Sequence, residues 1–357
     1  MENKKELRSW LSNMGLSHPL VIAGPCSAET QEQVLTIAHQ LKDTDVTVLR
    51  AGVWKPRTRP GCFDGVGEIG LKWLQKAKAE TGLLTATEVA NVEHVRLALE
   101  HDIDILWIGA RSTVSPFIIQ EIADALQGTE KIVLVKNPIN PDLSLWLGAI
   151  ERLYRADIKN LGVIHRGFST LEKTQFRNIP EWKIPVELQK RFPDLPLICD
   201  PSHISGNRDY IFSVCQQALE LSYDGLMVES HHDPDNAWSD AEQQVTPATL
   251  ETIMQDLKVK NRVKDDGFHS SLTRLRAQID LLDNELVNTL GQRMRLAEEI
   301  GALKKVNNSS VLKNKRWNEI IGKMTTKGEE IGLSESFILN VFNGIHQESL
   351  KLQEKVQ

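Results

Sequence analysis

Cationic side chains are concentrated directly after one apolar stretch of the sequence. The β-branched and apolar residues 46–49 predict a buried strand, and Arg50, Lys55 and Arg57 follow within eight residues. Pro56 fixes the backbone φ angle between Lys55 and Arg57, so these cations project from a stiff turn and lose little entropy on binding. This spacing predicts a site for an anion. The alternative interpretation is a solvated basic loop.

Apolar runs that end at a polar or charged residue occur eight times between residues 20 and 229. Cations dominate the ends of the second, fourth, fifth and sixth runs. Five such cations suit a small ligand with several negative charges, and Arg57 with Thr58 can hold a second phosphate. The five are Arg50, Lys55, Arg111, Lys136 and Arg166.

Side chains that can bind a metal follow three other runs. Cys26 follows the first run, His203 the seventh and Glu229 the eighth, and Asp240 lies in the next loop. If the sheet closes, the first strand lies beside the eighth and these side chains become neighbours. One thiolate, one imidazole and two carboxylates suit a divalent transition ion such as manganese, iron or zinc rather than magnesium. Taken singly, Cys26 is typical of a buried core thiol and His203 of a hydrogen-bonded loop histidine.

The elements that must position these residues are eight strand and helix units in about 240 residues. Nearly all the runs are continuously apolar, as in parallel strands covered by helices. The pattern predicts an α/β fold, a (β/α)8 or TIM barrel, with its chemistry at the C-terminal ends of the strands. A doubly wound open sheet is the alternative, but it requires edge strands, and no short, charged pair of runs is present.

Length and composition limit the class of protein. A chain of 357 residues exceeds one ordinary domain, so we expect a barrel at residues 1–257 and a smaller second domain. The net charge of −6 argues against a general nucleic-acid binder. No signal peptide and no run of about 18 apolar residues is present, so we expect a cytoplasmic protein that does not enter membranes. The four separated cysteines predict neither disulfides nor a zinc knuckle.

A second, all-helical domain is predicted at residues 269–357, after a polar linker at 258–268. Apolar residues repeat every three or four positions from Ser271 onward, which predicts one long helix. Shorter helices follow at about 312–327, ended by Gly328, and at 334–356. So small a unit cannot bury so long an apolar stripe, which indicates a homodimer, or a tetramer built from it. A coiled-coil dimerisation module is the alternative.

Charged residues of the long helix predict a second anion site. Arg293 and Lys304 are eleven positions apart, which places them about 20° and about 16 Å from each other on one face. This spacing suits a small dianion. Arg276 lies about 26 Å from Arg293, too far within one chain but close if two long helices run antiparallel. Ser349 and Gln353 add a polar face on the last helix.

Five motifs resemble the 3-deoxy-D-arabino-heptulosonate 7-phosphate (DAHP) synthases of the type I beta class over about residues 18–257. They are Gly-Pro-Cys-Ser-Ala-Glu at 24–29, the basic stretch at 50–58, Ile-Gly-Ala-Arg at 108–111, His-Arg-Gly at 165–167 and Asp-Pro-Ser-His at 200–203. The resemblance implies condensation of phosphoenolpyruvate with erythrose 4-phosphate. Octulosonate-phosphate synthases share the barrel but usually carry another motif in place of Lys-Pro-Arg-Thr. The short N-terminus is expected to leave no room for a regulatory domain there.

The same resemblance assigns roles to the barrel residues. Arg57 and Thr58 would bind the aldose phosphate, and Lys55 is the candidate for proton transfer. Manganese is the expected metal, with iron, cobalt or zinc as alternatives. The phosphoenolpyruvate residues would be Arg50, Lys55, Arg111, Lys136 and Arg166, and the metal ligands Cys26, His203, Glu229 and Asp240.

Residues 269–357 resemble the all-helical class of chorismate mutase, which converts chorismate to prephenate. The resemblance implies that Arg276 of one chain and Arg293 of the other hold the two carboxylates, and that Lys304 and Gln353 donate to the ether oxygen. Further matching positions are Arg316 and Ser349. The result is a bifunctional shikimate-pathway enzyme whose condensation is expected to be inhibited by prephenate or chorismate. Because Lys313 and Trp317 replace acidic residues common in that class, a single-activity synthase with a non-catalytic, ligand-sensing helical tail is the alternative.

Overall fold

The predicted strands form a closed parallel barrel. The computed structural model describes residues 7–16, 19–56, 61–171, 174–258, 267–306 and 314–356. The strands are β1 (Leu20–Gly24), β2 (Val48–Arg50), β3 (Leu84–Val89), β4 (Ile105–Ile108), β5 (Ile132–Lys136), β6 (Leu161–His165), β7 (Leu197–Cys199) and β8 (Gly225–Glu229). Within the described residues these eight pair in sequence order, and β8 closes onto β1. The (β/α)8 prediction is confirmed, and the open-sheet alternative is wrong.

The starts of two strands differ from the sequence prediction by two residues. β2 begins at Val48, because the backbone N–H of Val46 donates to the hydroxyl of Thr44 instead of entering the sheet. β7 begins at Leu197, since Pro196 has no N–H to give to a neighbouring strand. The strand ends, which carry the candidate site, agree with the prediction within two residues.

Helices follow the strands and bury one face each. They are α1 (Ser9–Asn13), α2 (Gln31–Leu41), α3 (Glu68–Thr81), α4 (Val92–Glu100), α5 (Ala110–Thr113), α6 (Pro116–Ala125), α7 (Leu143–Arg155), α8 (Lys183–Arg191), α9 (Pro201–Ser205), α10 (Ile211–Glu220) and α11 (Pro247–Asp256). In α7, Asp142 caps the first turn by accepting the N–H of Ser144 and of Leu145. Trp146 of the buried face donates its Nε1–H to the carbonyl of Val135 in β5.

The N-terminal end of the barrel is closed by α1. Trp10 is only 5% exposed and packs in the interior cluster with Ile22 and Leu134. Its Nε1–H donates to the carbonyl of Leu161 at 2.8 Å. Gly162 leaves room for the indole, because a Cβ there would lie 3.2 Å from the ring. The interior is therefore a packed core, and the chemistry is confined to the opposite end.

The chain divides into two compact units, Met1–Arg274 and Leu275–Gln357. The second unit consists of α12 (Gly267–Val306), which begins in the first unit, α13 (Asn314–Glu330) and α14 (Glu335–Val356). Because α12 begins at Gly267, the last two residues of the predicted linker are helical; residues 259–266 lie outside the described residues. The predicted domain boundaries stay a prediction. No helix in the described ranges is long and apolar enough to span a membrane.

The prediction that Gly328 ends the second helix is wrong. The helix α13 continues to Glu330, and the chain reverses at Gly332, which has a φ angle of 81°. Gly328 has a packing role instead, because a Cβ there would lie 2.6 Å from Cγ1 of Ile338 in α14. The absence of a side chain therefore allows α14 to approach α13 closely.

Apolar side chains of α12 remain exposed along its length. Eight of them have exposed fractions between 47 and 67%, and Val306 at the end of the helix is 83% exposed. All but Val287 of these eight lie toward one face, and an apolar face of this kind is unusual on a free helix surface and typical of an interface. The residues are Leu275, Ile279, Leu282, Leu286, Val287, Leu296, Ile300 and Leu303.

Candidate active sites

The closure of the barrel brings the first and last strand ends together. Gly24 lies opposite Glu229 in the parallel pair of β1 and β8. Gly24 has a φ angle of 144°, and a Cβ there would lie 2.2 Å from the carbonyl oxygen of Arg50. Only glycine fits at this strand end, two residues before Cys26.

Three of the four predicted metal ligands form one cluster. Ligand atoms of Cys26, Glu229 and Asp240 all lie within 4.8 Å of one another, and Cys26 Sγ is 3.2 Å from Asp240 Oδ2. His203 lies beside them, with Nδ1 3.8 Å from Glu229 Oε1. Asp200 accepts a hydrogen bond from His203 Nδ1 at 3.0 Å, which leaves Nε2 as the nitrogen for a metal. This set of a buried thiol, one buried and one partly exposed carboxylate, and a partly exposed imidazole fits a divalent transition ion.

The charges in this cluster depend on burial. Burial and the negative charge of Glu229 raise the pKa of the Cys26 thiol to about 12, although Lys55 opposes the shift. Burial would also raise the pKa of Glu229, but His203 and Arg50 outweigh it and keep that pKa below its usual value. Burial likewise works against a charged Asp240, yet Arg177 holds its pKa well below normal. Without a metal, the thiol is therefore protonated and both carboxylates are charged.

Lys55 lies against the proposed metal ligands. Its Nζ is 2.9 Å from Cys26 Sγ and 3.0 Å from the carbonyl oxygen of Cys26. Burial alone would lower the pKa of Lys55, but its interactions with Cys26, including a hydrogen bond, and with the charged Glu229 outweigh burial and raise the pKa. Lys55 is therefore a cation at neutral pH. It can donate a proton at the edge of the metal cluster.

Two of the predicted cations lie over one aromatic ring. Arg50 is 1% exposed, and its guanidinium lies 4.9 Å from the ring centre of Trp107. Lys136 Nζ lies 5.7 Å from the same ring and donates to Asp200 Oδ2 at 2.8 Å. The π face of the Trp107 ring stabilises both cations. Among the described residues, Arg50 Nε has no hydrogen-bond partner, so a donor remains for a ligand.

Arg166 and Arg111 are the remaining predicted cations among the described residues. Arg166 Nη1 donates to Asn178 Oδ1 at 2.6 Å. Burial lowers the pKa of Arg166 to about 10, and the positive charges of Arg177 and Arg111 contribute. Arg111 is exposed on α5, directly after β4. Like charges held this closely favour binding of an anion. Arg57 and Thr58 lie outside the described residues.

Several polar residues of the site were not predicted from the sequence. Asp200 joins Lys136 to His203, and its own motif could have indicated it. Burial would raise its pKa, but His203 and Lys136 outweigh this and keep Asp200 charged. Gln243 and Gln244 contact the metal cluster from a loop whose sequence carries no such signal.

In the helical unit, four predicted residues form two contacts between α12 and α14. Arg293 Nη1 donates to Ser349 Oγ at 2.5 Å, and Lys304 Nζ donates to Gln353 Oε1 at 3.0 Å. Ser349 and Gln353 are 5% and 8% exposed. Gly301 permits this approach, because a Cβ there would lie 2.9 Å from Cα of Gln353. The result is a polar cluster between the two helices, which includes the donors Arg293 and Lys304.

The other predicted residues of the helical site do not join this cluster. Arg316 lies on an exposed face of α13 and pairs with Glu319 at 3.3 Å. Arg276 is exposed on α12. Trp317 stacks on His346 with ring centres 4.1 Å apart, and burial and Arg293 lower the pKa of His346. Lys313 lies outside the described residues. A single chain therefore supplies only part of the predicted pocket.

Comparison with known families accounts for both units. The model of the DAHP synthetase I family matches residues 11–264. The chain belongs to this family. The chorismate mutase type II model matches residues 275–354. The predicted bifunctional enzyme, a DAHP synthase transferase fused to a C-terminal chorismate mutase isomerase of aromatic biosynthesis, is confirmed. The families imply the substrates phosphoenolpyruvate, erythrose 4-phosphate and chorismate, and DAHP synthases are metal-dependent enzymes.

Individual relatives agree with this membership. Phospho-2-dehydro-3-deoxyheptonate aldolase of Thermotoga maritima is 30% identical over 245 residues, which cover 69% of this chain and 70% of the relative. A crystal structure of that DAHP synthase has a TM-score of 0.61 at 30% identity and covers 67% of this chain and 68% of that chain. The 2-dehydro-3-deoxyphosphooctonate aldolase of Desulfatibacillum aliphaticivorans is also 30% identical, over 69% of this chain and 93% of the relative.

Proposed function

We propose that the barrel condenses phosphoenolpyruvate with erythrose 4-phosphate to DAHP and phosphate, and that the helical unit rearranges chorismate to prephenate. The observation that carries the first part is a buried cluster of metal-binding side chains enclosed by cations at the C-terminal ends of the strands. The cluster consists of Cys26, Glu229 and Asp240, with His203 beside it.

The cations suit phosphoenolpyruvate, which carries a carboxylate and a phosphate. Arg50, Lys136 and Arg166 are held by hydrogen bonds or ion pairs, so little side-chain entropy is lost when an anion binds. Arg50 Nε and the exposed guanidinium of Arg111 are further groups that can donate hydrogen bonds to such a ligand. The preorganised positive charge stabilises the transition state as the negative charge shifts during the reaction.

The metal would be held by Cys26, His203, Glu229 and Asp240, and we propose manganese, with iron, cobalt or zinc able to replace it. When bound, it supplies Lewis-acid polarisation of the aldehyde. The methylene carbon of phosphoenolpyruvate attacks the aldehyde carbon, and Lys55 donates a proton to the new alkoxide. Water adds to the carbon that bears the phosphate and gives one proton back to the neutral Lys55. The bond from that carbon to the phosphate oxygen then breaks as the ketone forms, the second proton of the water leaves with the phosphate, and Lys136 with Arg166 stabilises the departing phosphate.

The heptonate and octonate relatives, each 30% identical to this chain, differ in the length of the aldose phosphate that their products require. A heptonate product requires a four-carbon aldose phosphate beside the three-carbon phosphoenolpyruvate, and an octonate requires five carbons. The Lys-Pro-Arg-Thr stretch at 55–58 and the fused mutase domain support the four-carbon substrate. We assign Arg57 and Thr58 to its phosphate.

The experiment offers phosphoenolpyruvate with four-carbon and five-carbon aldose phosphates and measures release of phosphate. We expect at least tenfold preference in kcat/KM for erythrose 4-phosphate, and Cys26→Ala should abolish the reaction while the fold, followed by circular dichroism, is retained. A preference for the five-carbon substrate would replace the proposed reaction with the octulosonate one. Full activity and full metal content in Cys26→Ala would overturn the metal site.

The helical pocket supports the mutase reaction because a pericyclic rearrangement needs positioning and electrostatic stabilisation but no acid, base or metal. Arg293 and Ser349 can bind one carboxylate. Lys304 fixes the amide of Gln353, so that both can donate to the ether oxygen. We propose a homodimer through α12, in which Arg276 and, from α13, Arg316 complete the pocket. Conversion of chorismate to prephenate by the intact chain, followed by absorbance, tests the assignment.

Regulation is the third part of the proposal. One chain carries a synthase domain that makes an early intermediate and a mutase domain that consumes a later one. We propose that prephenate or chorismate bound at the helical pocket inhibits condensation in the barrel. This requires that the ligand bind two arrangements of the protein with different affinity.

A further inference from the structure

Two residues outside the proposed ligand set contact two of the ligands. Arg177 Nη1 donates to Asp240 Oδ1 at 3.0 Å and to Gln243 Oε1 at 2.7 Å. Gln243 Nε2 in turn donates to Glu229 Oε2 at 2.7 Å. A continuous series of hydrogen bonds therefore runs from one carboxylate to the other. We call Arg177 and Gln243 the carboxylate brace.

The brace fixes groups that would otherwise have other arrangements available. Gln243 is 1% exposed, so its amide has no water to exchange with, and both ends of the amide are used. Asp240 has a left-handed backbone, with φ 49° and ψ 42°, which non-glycine residues adopt only where surrounding contacts hold them. Arg177 supplies such a contact at the Asp240 carboxylate.

Arg208 contacts the backbone of the same loop and also pairs with Asp235, which is not a proposed metal ligand. Arg208 donates to the carbonyl oxygens of Gln244 and Ala241 at 2.7 and 2.8 Å. It carries the same charge as Arg177 and supports the same loop. None of its bonds within the described residues reaches a proposed metal ligand. A substitution of Arg208 therefore tests whether an effect comes from disorder of the loop and not from the orientation of the metal ligands.

We propose that the carboxylate brace of Arg177 and Gln243 orients Glu229 and Asp240 as one unit and thereby determines how tightly the barrel binds its divalent metal. The inference rests on the proposed metal site. Outer residues that orient metal ligands typically change metal affinity by about 10–100-fold when they are replaced. Arg177 and Gln243 are therefore positioning residues and need not touch a substrate.

The test measures the dissociation constant of Mn²⁺ for metal-free intact protein by calorimetry. Gln243→Met keeps the charge and the approximate volume, and we expect it to weaken binding about 10–100-fold. Arg177→Met should also weaken binding at least tenfold, whereas Arg208→Met, with the same change of charge, should change it less than about threefold. The two brace residues act together, so their effects should not be independent. The fold-loss of Mn²⁺ affinity in the variant with both substitutions should therefore be smaller than the product of the two single fold-losses.

The outcomes separate the brace from the metal site itself. If Cys26→Ala binds Mn²⁺ as tightly as the original protein, the proposed site is wrong. If Cys26→Ala loses binding but Gln243→Met and Arg177→Met do not, only the brace is wrong. Equal losses in Arg177→Met and Arg208→Met would assign the effect to loop order and overturn the proposal. Arg177 and Arg208 are partly exposed, so both variants should fold, and thermal unfolding of the metal-free proteins checks this.

Discussion

In the metal-free site the Cys26 thiol is protonated at neutral pH, since its pKa lies near 12. A metal binds the thiolate, so binding must expel that proton. The other proposed ligands need no such step: burial lowers the pKa of His203, which is therefore neutral, and Glu229 and Asp240 are already charged.

We therefore expect Mn²⁺ binding to release about one proton per site near pH 7.5, and its affinity to rise about tenfold for each unit of pH below the thiol pKa. Calorimetry in buffers with different ionisation enthalpies measures the proton directly. Arg208→Met should release the same proton, as a control. Binding that is independent of pH would mean that Cys26 is not a ligand.

A second prediction at this scale concerns the division of the anion sites. Arg57→Ala should raise the KM for erythrose 4-phosphate at least tenfold and leave the KM for phosphoenolpyruvate within about twofold, because a charge-assisted bond to phosphate contributes about 1.5–3 kcal/mol. Arg111→Ala is the matched control and should show the reverse. Steady-state kinetics with each substrate varied in turn decides this, and equal effects on both constants would refute the division.

At the scale of elements, α1 contributes to the stability of the barrel and not to the candidate site. Its Trp10 fills the N-terminal end of the barrel, opposite the C-terminal strand ends that carry the site. Trp10→Ala should lower the free energy of unfolding by about 3–5 kcal/mol, since a large buried side chain leaves a cavity. Urea denaturation of the metal-free protein measures this. Trp10→Phe should lose less, and the KM values of both variants should be unchanged. A loss below about 1 kcal/mol in Trp10→Ala would show that α1 does not stabilise the barrel.

The exposed stripe of α12 leads to the prediction for assembly. Leu286→Glu introduces a charge into the proposed interface, so the chain should become monomeric and lose mutase activity more than tenfold while condensation continues. Light scattering after gel filtration gives the mass. The control is Phe117→Glu on α6, where an apolar side chain is 84% exposed on the barrel. A dimer that persists in Leu286→Glu with full mutase activity would exclude α12 as the interface.

Residues attached to regular elements were the more predictable, although Asp240, in the loop after β8, was also predicted and Asp200, directly after β7, was not. Lys136 and Glu229 end strands, and hydrogen bonding between neighbouring strands brings all the strand ends to one rim. In the helices, the period of 3.6 residues predicted that Arg293 and Lys304 share one face of α12, and both contact α14. Arg177 and Gln243 lie in loops that side-chain contacts hold in position, and no periodic pattern records such contacts.

At the scale of the whole molecule, the prediction is that the two activities are coupled. Prephenate should inhibit condensation by the intact chain if it binds two arrangements of the protein with different affinity. A difference of about 1.4 kcal/mol in binding free energy is enough for a tenfold effect. Assays of condensation compare the intact chain, a chain truncated after Leu257, and Arg293→Ala. We expect inhibition only in the intact chain. Equal inhibition of the truncated barrel would assign the effector site to the barrel.

The contact between Cys26 and Asp240 spans 214 positions of the sequence. We expect a contact this distant to form late in folding. Closing so long a loop costs entropy, and only contacts within the intervening chain offset that cost. The four proposed metal ligands cannot converge before the chain has been made as far as Asp240, so we do not expect the ion to act as the nucleus for folding of the first strands. We expect the ion to bind only after β8 has joined β1 and, once bound, to oppose the separation of these two strands by mass action. The cell's supply of metal would thus govern the lifetime of the finished barrel rather than its rate of formation.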